Sequence, residues 1–180
     1  MNYKTIADIY AANKKIREKL HETLSNLTHE QLIFRADKNT WTITEIVEHL
    51  AIVENGMASI ASGLLQKSNV ENIENDGSAN ISNGFLERAS LISNRRERKV
   101  SAPERVVPTG RLSIAESLAK MDENAKLLNH LRKGIETVNT EKAKFPHPFF
   151  GDLTATEWLA LIGGHELRHI DQIEEILSEQ

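Results

Sequence analysis

The chain has 180 residues, no cysteine and a formal charge of −4, from 22 Lys and Arg against 26 Asp and Glu. That length fits one domain over residues 1–180 with a core that needs no staples; without cysteine there are no disulfides, and any thiol nucleophile has to come from outside the protein. The acidic balance argues against a nucleic-acid partner. Because no run of about 18 apolar residues occurs and the start MNYKTIADIYAANKKIREKL is amphipathic rather than signal-like, a soluble cytoplasmic protein without a membrane partner is expected.

Four long helical patterns organise the sequence. The first spans roughly 3–27, with Ile6, Ile9, Tyr10, Ile16, Leu20, Leu24 and Leu27 in helical phase. Thr42 opens the second through a capping box with Glu45, and its stripe of Ile43, Ile46, Val47, Leu50, Val53, Met57, Ile60 and Leu64 carries it to about Gln66. Residues 67–110 then form a long connection. Its first part, KSNVENIENDGSANISNG, has too little apolar surface for a core and reads as a mobile loop, with a short helix possible over Phe85–Arg95. The basic run Arg95, Arg96, Arg98 and Lys99 reads as a solvated loop, with a gate for an anionic substrate as the alternative; no aromatic interleaving suggests nucleic acid. Ser113 with Glu116 caps the third helix, and Thr154 with Glu157 the fourth. Convincing strand alternation is absent, so the expected fold is all-α, a four-helix bundle with a long crossover connection between its second and third helices.

The last helix holds the most informative pair. His165 and His169 are four residues apart on the stripe Trp158, Ile162, His165, His169, Gln172, Ile173, Ile176, so both imidazoles face the same way among core positions, while Glu166, Arg168, Glu174 and Glu175 fall on the charged face. Each buried ring needs a partner, because an unsatisfied polar group costs roughly 1–3 kcal/mol. One divalent cation would satisfy both; a backbone carbonyl or neighbouring Glu for each ring is the alternative. The string is also H-E-x-x-H, the zinc-protease pattern. With the sequence ending at Gln180, a third ligand is expected upstream. His49 is the candidate, roughly 80° off the middle of the second helix's stripe at 100° per residue. With the pair, it would complete a three-histidine site whose remaining positions stay open to water or substrate.

His49 after a W-T-I-x-E opening, the segment FPHPFFGDLTATEWL and the ending H-E-L-R-H-I-D-Q-I together resemble the DinB/YfiT-like superfamily of metal-binding four-helix bundles, over nearly the whole chain. The resemblance implies a divalent metal, usually nickel or zinc, held at His49, His165 and His169 in a bundle that often dimerises. Some such proteins are thiol-dependent transferases or isomerases using bacillithiol, mycothiol or glutathione, and others are described as metal-dependent hydrolases. A divalent-metal-dependent enzyme is therefore expected, acting on a small electrophile with a low-molecular-weight thiol cosubstrate. Hydrolysis by activated water and a non-catalytic, stress-related metal-binding role are the alternatives.

Further positions are weighed on their own chemistry. Gln172 shares the histidines' face and could orient a ligand or a bound water, or be an interface amide. Glu45, one turn before His49, could orient that ring, although its cap already accounts for it. His147, stiffened between prolines, could act as a proton shuttle. Gly163 and Gly164 cost about 1 kcal/mol each against Ala inside a helix and imply a close approach there. Trp41 and Trp158 read as core or helix-start anchors, with pocket lining as the alternative. His21, His29 and His130 have no partner at metal spacing and read as surface residues.

Overall fold

The computed structural model describes residues 3–69, 73–93 and 102–180. Four long helices make the bundle: α1 (Ile6–Leu24), α3 (Ile43–Asn69), α5 (Ile114–Thr137) and α6 (Ala155–Ser178); α2 (His29–Ile33) and α4 (Asn83–Ser93) are short. The capping boxes at Thr42, Ser113 and Thr154 are all present, and Thr5 with Asp8 and Thr28 with Gln31 add two more. At each, the hydroxyl takes an orphan N–H of the first turn and the carboxylate or amide returns to the cap's own N–H. The first predicted pattern, 3–27, ends three residues early, where Ser25 caps α1.

Neighbour contacts fix the topology. Helix α3 packs against α5 and α6, and α1 packs against α6. Asn55 Nδ2 donates to Asn124 Oδ1, and Leu65 lies against Gly134, so α3 and α5 run parallel. Asn13 donates to the Leu159 carbonyl and Lys19 pairs with Glu174, so α1 and α6 are also parallel. Parallel neighbours cannot be joined by a tight turn, which is why a long crossover separates α3 from α5. The predicted close approach is at Gly163, where a Cβ would collide with the end of Asn13 and press on Ile16 of α1.

The described part of the connection is bound to the bundle. Between 73 and 82 it is laced to the bundle: Ile6 N–H donates to the Gly77 carbonyl, Ala79 N–H to Lys4, Asn75 N–H to Thr137 and Asn139 N–H to Ile73. Ala79 and Phe85 are buried. The polar composition was read as mobility, whereas here backbone hydrogen bonds to two helix ends do the holding. Glu157 adds a tie, since beside its capping bond its Oε1 accepts from the N–H and hydroxyl of Ser82. The basic run Arg95, Arg96, Arg98 and Lys99 lies outside the described residues. The predicted short helix at Phe85–Arg95 is α4, observed over Asn83–Ser93.

A second departure is a small sheet. Strands β1 (Phe145–His147) and β2 (Gly151–Leu153) pair antiparallel, with His147 opposite Gly151. The loop between them is three residues long, and Gly151 stands at φ +72°, the left-handed position that such hairpins require. A side chain there would also strike the Arg88 guanidinium, which donates to the Phe150 carbonyl. Prolines at 146 and 148 hid this strand pair from a search for alternation.

Candidate metal centre

Helices α3 and α6 bring His49, His165 and His169 together, with one nitrogen from each ring lying within 4.8 Å of the others. The ring centroids are 4.6 to 5.2 Å apart and the planes are tilted by 50 to 67°, so the imidazoles converge on a point and do not stack. His49 and His169 are buried, and His165 is half-buried.

Hydrogen bonds set the tautomers of two rings. His49 Nδ1 lies 2.7 Å from the Val106 carbonyl, which can only accept; the proton is therefore on Nδ1 and Nε2 keeps its lone pair. His169 Nδ1 lies 2.9 Å from Gln172 Oε1 with the same consequence. Gln172 thus orients a ring of the cluster, as its place on that face suggested. His165 has no hydrogen-bond partner among the described residues, and burial together with the neighbouring imidazoles His169 and His49 pushes its pKa well below the ordinary value. Burial lowers His49 as well, against the opposing Val106 bond. Three imidazoles that each turn a nitrogen to one point, two of them held by acceptors on their far nitrogens, match the donor set of a divalent cation.

The loop ahead of α5 is fastened over this cluster. Glu48, buried beside His49, accepts from the Thr109 hydroxyl at 2.6 Å and from the Gly110 N–H at 2.7 Å. Adjacent residues of α3 therefore hold one strap, 103–110: Glu48 at its end and His49 at the Val106 carbonyl. The sequence offered no signal for Glu48 beyond a charge on a mostly apolar helix.

Glu166 does not serve as the H-E-x-x-H general base. Next to His165, it points about 100° away around the helix, where it is 3 % exposed and takes Arg17 Nε at 2.7 Å. Arg17 Nη2 reaches Glu54 of α3 at 2.5 Å, so one guanidinium ties α1, α3 and α6 together. Glu166 was expected on the charged face; it is instead buried behind the site. Two carboxylates share one cation, and burial with Glu166 nearby pushes Glu54 up to about 7 against the pull of Arg17.

The other candidates separate clearly. Glu45 is engaged by its cap and by Arg35 Nη2 at 2.7 and 2.8 Å, and does not reach the His49 ring. His147 lies on the hairpin and faces the cavity, but burial, aided by the charge of Arg105, lowers its pKa to about 4. A shuttle has to gain and lose a proton near neutral pH, and a ring held neutral does not. Trp41 lies 4.8 Å from His49 with the ring planes tilted by 46°, and both Trp41 and Trp158 line the cavity. Gly164 lines it too, whereas its neighbour Gly163 faces α1. His130 is exposed.

The three histidines stand at the wall of a cavity of about 1100 Å³. Its other walls come from α3 (Met57, Ile60), α4 (Phe85), the strap (Val106) and the hairpin (Phe145, Phe149). Phe145 and Phe149 are 43 % and 49 % exposed, large apolar surfaces left open toward this space. No helix among the described residues is long and apolar enough to cross a membrane.

The sequence profile of the DinB superfamily matches residues 12–173. YuaE, an uncharacterized protein of Bacillus subtilis (strain 168), is 24 % identical over 154 residues, covering 85 % of this chain and 87 % of that protein. Among solved structures, the four-helix bundle protein TT2238 superposes with a TM-score of 0.57 at 21 % identity, over 94 % of this chain and 98 % of that one. YfiT from Bacillus subtilis, described as a probable metal-dependent hydrolase with an unusual four-helix bundle topology, gives a TM-score of 0.59 at 18 % identity, over 97 % of this chain and 86 % of that one. At these identities the two structures establish the shared bundle fold.

Proposed function

The chain belongs to the DinB superfamily, and from that premise we propose that it is a divalent-metal-dependent enzyme in which His49, His165 and His169 hold the ion and a nucleophile is activated against a small electrophile in the adjoining cavity. The observation that carries this reading is the convergence of three imidazole nitrogens within 4.8 Å at a cavity wall. When bound, the ion supplies Lewis acidity, which lowers the pKa of a nucleophile's proton and leaves coordination positions open for it. The chain's own residues do the rest. Val106 and Gln172 fix the ring orientations, Trp41 lies against His49, and the apolar part of the cavity wall offers a surface for the substrate's body.

A low-molecular-weight thiol is the nucleophile this site favours. No carboxylate joins the three-imidazole group among the described residues, Glu166 is turned into the Arg17 pair, and His147 is held neutral, while Asp171 and Glu175 line the same cavity. Water would need a general base at that point, whereas a thiol, with an ordinary pKa near 8.5, needs far less help to ionise. The chain has no cysteine of its own to compete for the role. Hydrolysis is the second reading, supported by the description of YfiT as a probable metal-dependent hydrolase. The test is elemental analysis of natively purified protein, followed by assays of glutathione, bacillithiol and mycothiol against a panel of electrophiles, alongside activated esters. Thiol-dependent turnover that is lost in His169→Ala supports the first reading. Ester hydrolysis without thiol turnover supports the second, and inertness in both assays with metal bound would leave a binding protein.

A further inference from the structure

The hairpin carries a histidine that the three-histidine centre does not use. His147 Nδ1 lies 3.1 Å from the Phe149 N–H and 3.3 Å from the Phe150 N–H, and both donate to it. Two donors converging on one ring nitrogen decide the tautomer. Nδ1 has to carry the lone pair, so the single proton of the neutral ring is on Nε2. With Nδ1 facing its own hairpin, Nε2–H is the nitrogen turned away from it. His147 lines the same cavity as His49, His165 and His169, and Nε2 has no acceptor among the described residues. Beside it, at 5.3 Å between ring centroids, Trp158 contributes a buried indole N–H that also finds no acceptor among the described residues. Met57, Ile60, Phe145 and Phe149 add apolar wall to the same cavity, and the charged Arg105 and Arg168 line it as well.

We propose that His147 is a fixed hydrogen-bond donor to the substrate, its Nε2–H holding an acceptor oxygen of carbonyl type on a molecule whose apolar body lies along Trp158, Phe149, Met57 and Ile60. The proposal rests on reading this cavity as the substrate site, and it names the substrate class: an electrophile with a largely apolar body and an acceptor oxygen of carbonyl type. A donor that is already neutral and already aimed needs no proton movement when the substrate arrives, and it can stabilise charge that builds on that oxygen. Such a site discriminates strongly against analogues without the oxygen, because the donor would then be buried unpaired.

The tautomer and the preference can both be read without turnover. Long-range ¹H–¹⁵N correlation spectra of ¹⁵N-histidine-labelled full-length protein are recorded as purified and again after chelation, with His147 assigned by its loss in His147→Asn. That variant keeps an oxygen where Nδ1 stands, so the bonds from Phe149 and Phe150 survive while the donor is removed. His147 is expected to show the Nε2–H pattern from pH 5.5 to 8. Acetophenone is expected to bind the wild type about five- to tenfold more tightly than His147→Asn, the worth of one neutral hydrogen bond; ethylbenzene, of the same shape without the oxygen, should bind the wild type no more tightly than the variant, because it leaves the donor unpaired. An Nδ1–H tautomer, equal acetophenone affinities, or an equal loss for both ligands would overturn the proposal. So would a preference that disappears with chelation, since the oxygen would then be resting on the ion. A preference that persists after chelation in a protein shown to be metal-independent would sustain this inference while the metal-dependent reading fell.

Discussion

Replacing Arg17 with Met should destabilise the bundle strongly at alkaline pH and less in mild acid. The substitution removes the guanidinium and keeps most of the side chain's apolar length, leaving Glu54 and Glu166 buried side by side with 6 % and 4 % of their side chains exposed. Breaking one partner out of a buried ion pair typically costs about 3–5 kcal/mol, because the remaining charge is uncompensated. For a chain of this size each kcal/mol moves the midpoint by about 2–4 °C, so a fall of roughly 6–20 °C is expected at pH 8. The pH dependence follows from protonation. Glu54 is pushed up to about 7 even with Arg17 present, and without the cation it holds its proton more tightly still, so at pH 5.5 one of the two buried charges is gone and the loss should shrink. The wild type carries the same sign in weaker form. A carboxyl whose folded pKa lies above its unfolded value of 4.5 binds more protons in the fold, so stability should decline as pH rises from about 4.5 through about 7. Thermal unfolding followed by circular dichroism at both pH values is the assay. A drop below about 2 °C at pH 8, or an equal drop at both pH values, would show that the Arg17 cluster does not carry the coupling assigned to it.

Substituting Ala at His49, His165 or His169 should each remove most bound divalent metal as read by mass spectrometry of digested protein, while His130→Ala should retain it; full stoichiometry in any of the three variants would remove that ring from the site. Chelation should lower the thermal midpoint of the wild type by roughly 5–11 °C if the ion is present at about 100 times its dissociation constant, corresponding to about 2.7 kcal/mol, and should leave His169→Ala unchanged. Because burial holds the His165 ring well below its ordinary pKa, protons should displace the ion only below about pH 6, the range in which free imidazole charges; release already complete at pH 7 would contradict a neutral, preorganised ligand set. Glu48→Ala should free the end of the strap and speed tryptic cleavage after Arg105 several-fold, read by mass spectrometry of timed digests, and an unchanged rate would show that Glu48 does not restrain it.

Much of this fold was legible because its signals are local. A Thr or Ser three residues ahead of a Glu writes a helix start at Thr42, Ser113 and Thr154, and the spacing of His165 and His169 states their common face without any tertiary information. His49 was readable as a candidate but not as a member, since its angle of about 80° off the stripe is compatible with a boundary residue, and only the packing of α3 on α6 brings it in. What the sequence hid was decided by partners far along the chain. Arg17 and Glu166 are 149 positions apart, and each looks like an ordinary charge on its own helix. The lacing of 73–82 uses backbone groups, which composition cannot reveal. His147 was noticed for its flanking prolines, but its protonation state depends on two N–H groups of a hairpin turn that no periodicity announces.

The tether from the His49 ring ends on a main-chain carbonyl. Any residue at position 106 offers the same oxygen, so the orientation of that imidazole is indifferent to which side chain the strap turns toward the cavity. The bonds from Glu48 reach a backbone N–H at Gly110 and a hydroxyl at Thr109, and so leave residues 103–108 largely unconstrained in kind. The cavity wall along this segment can therefore drift in sequence while the ring behind it keeps its tautomer. The lining of the cavity and the orientation of the ring are thereby placed under separate genetic control within a few residues of each other.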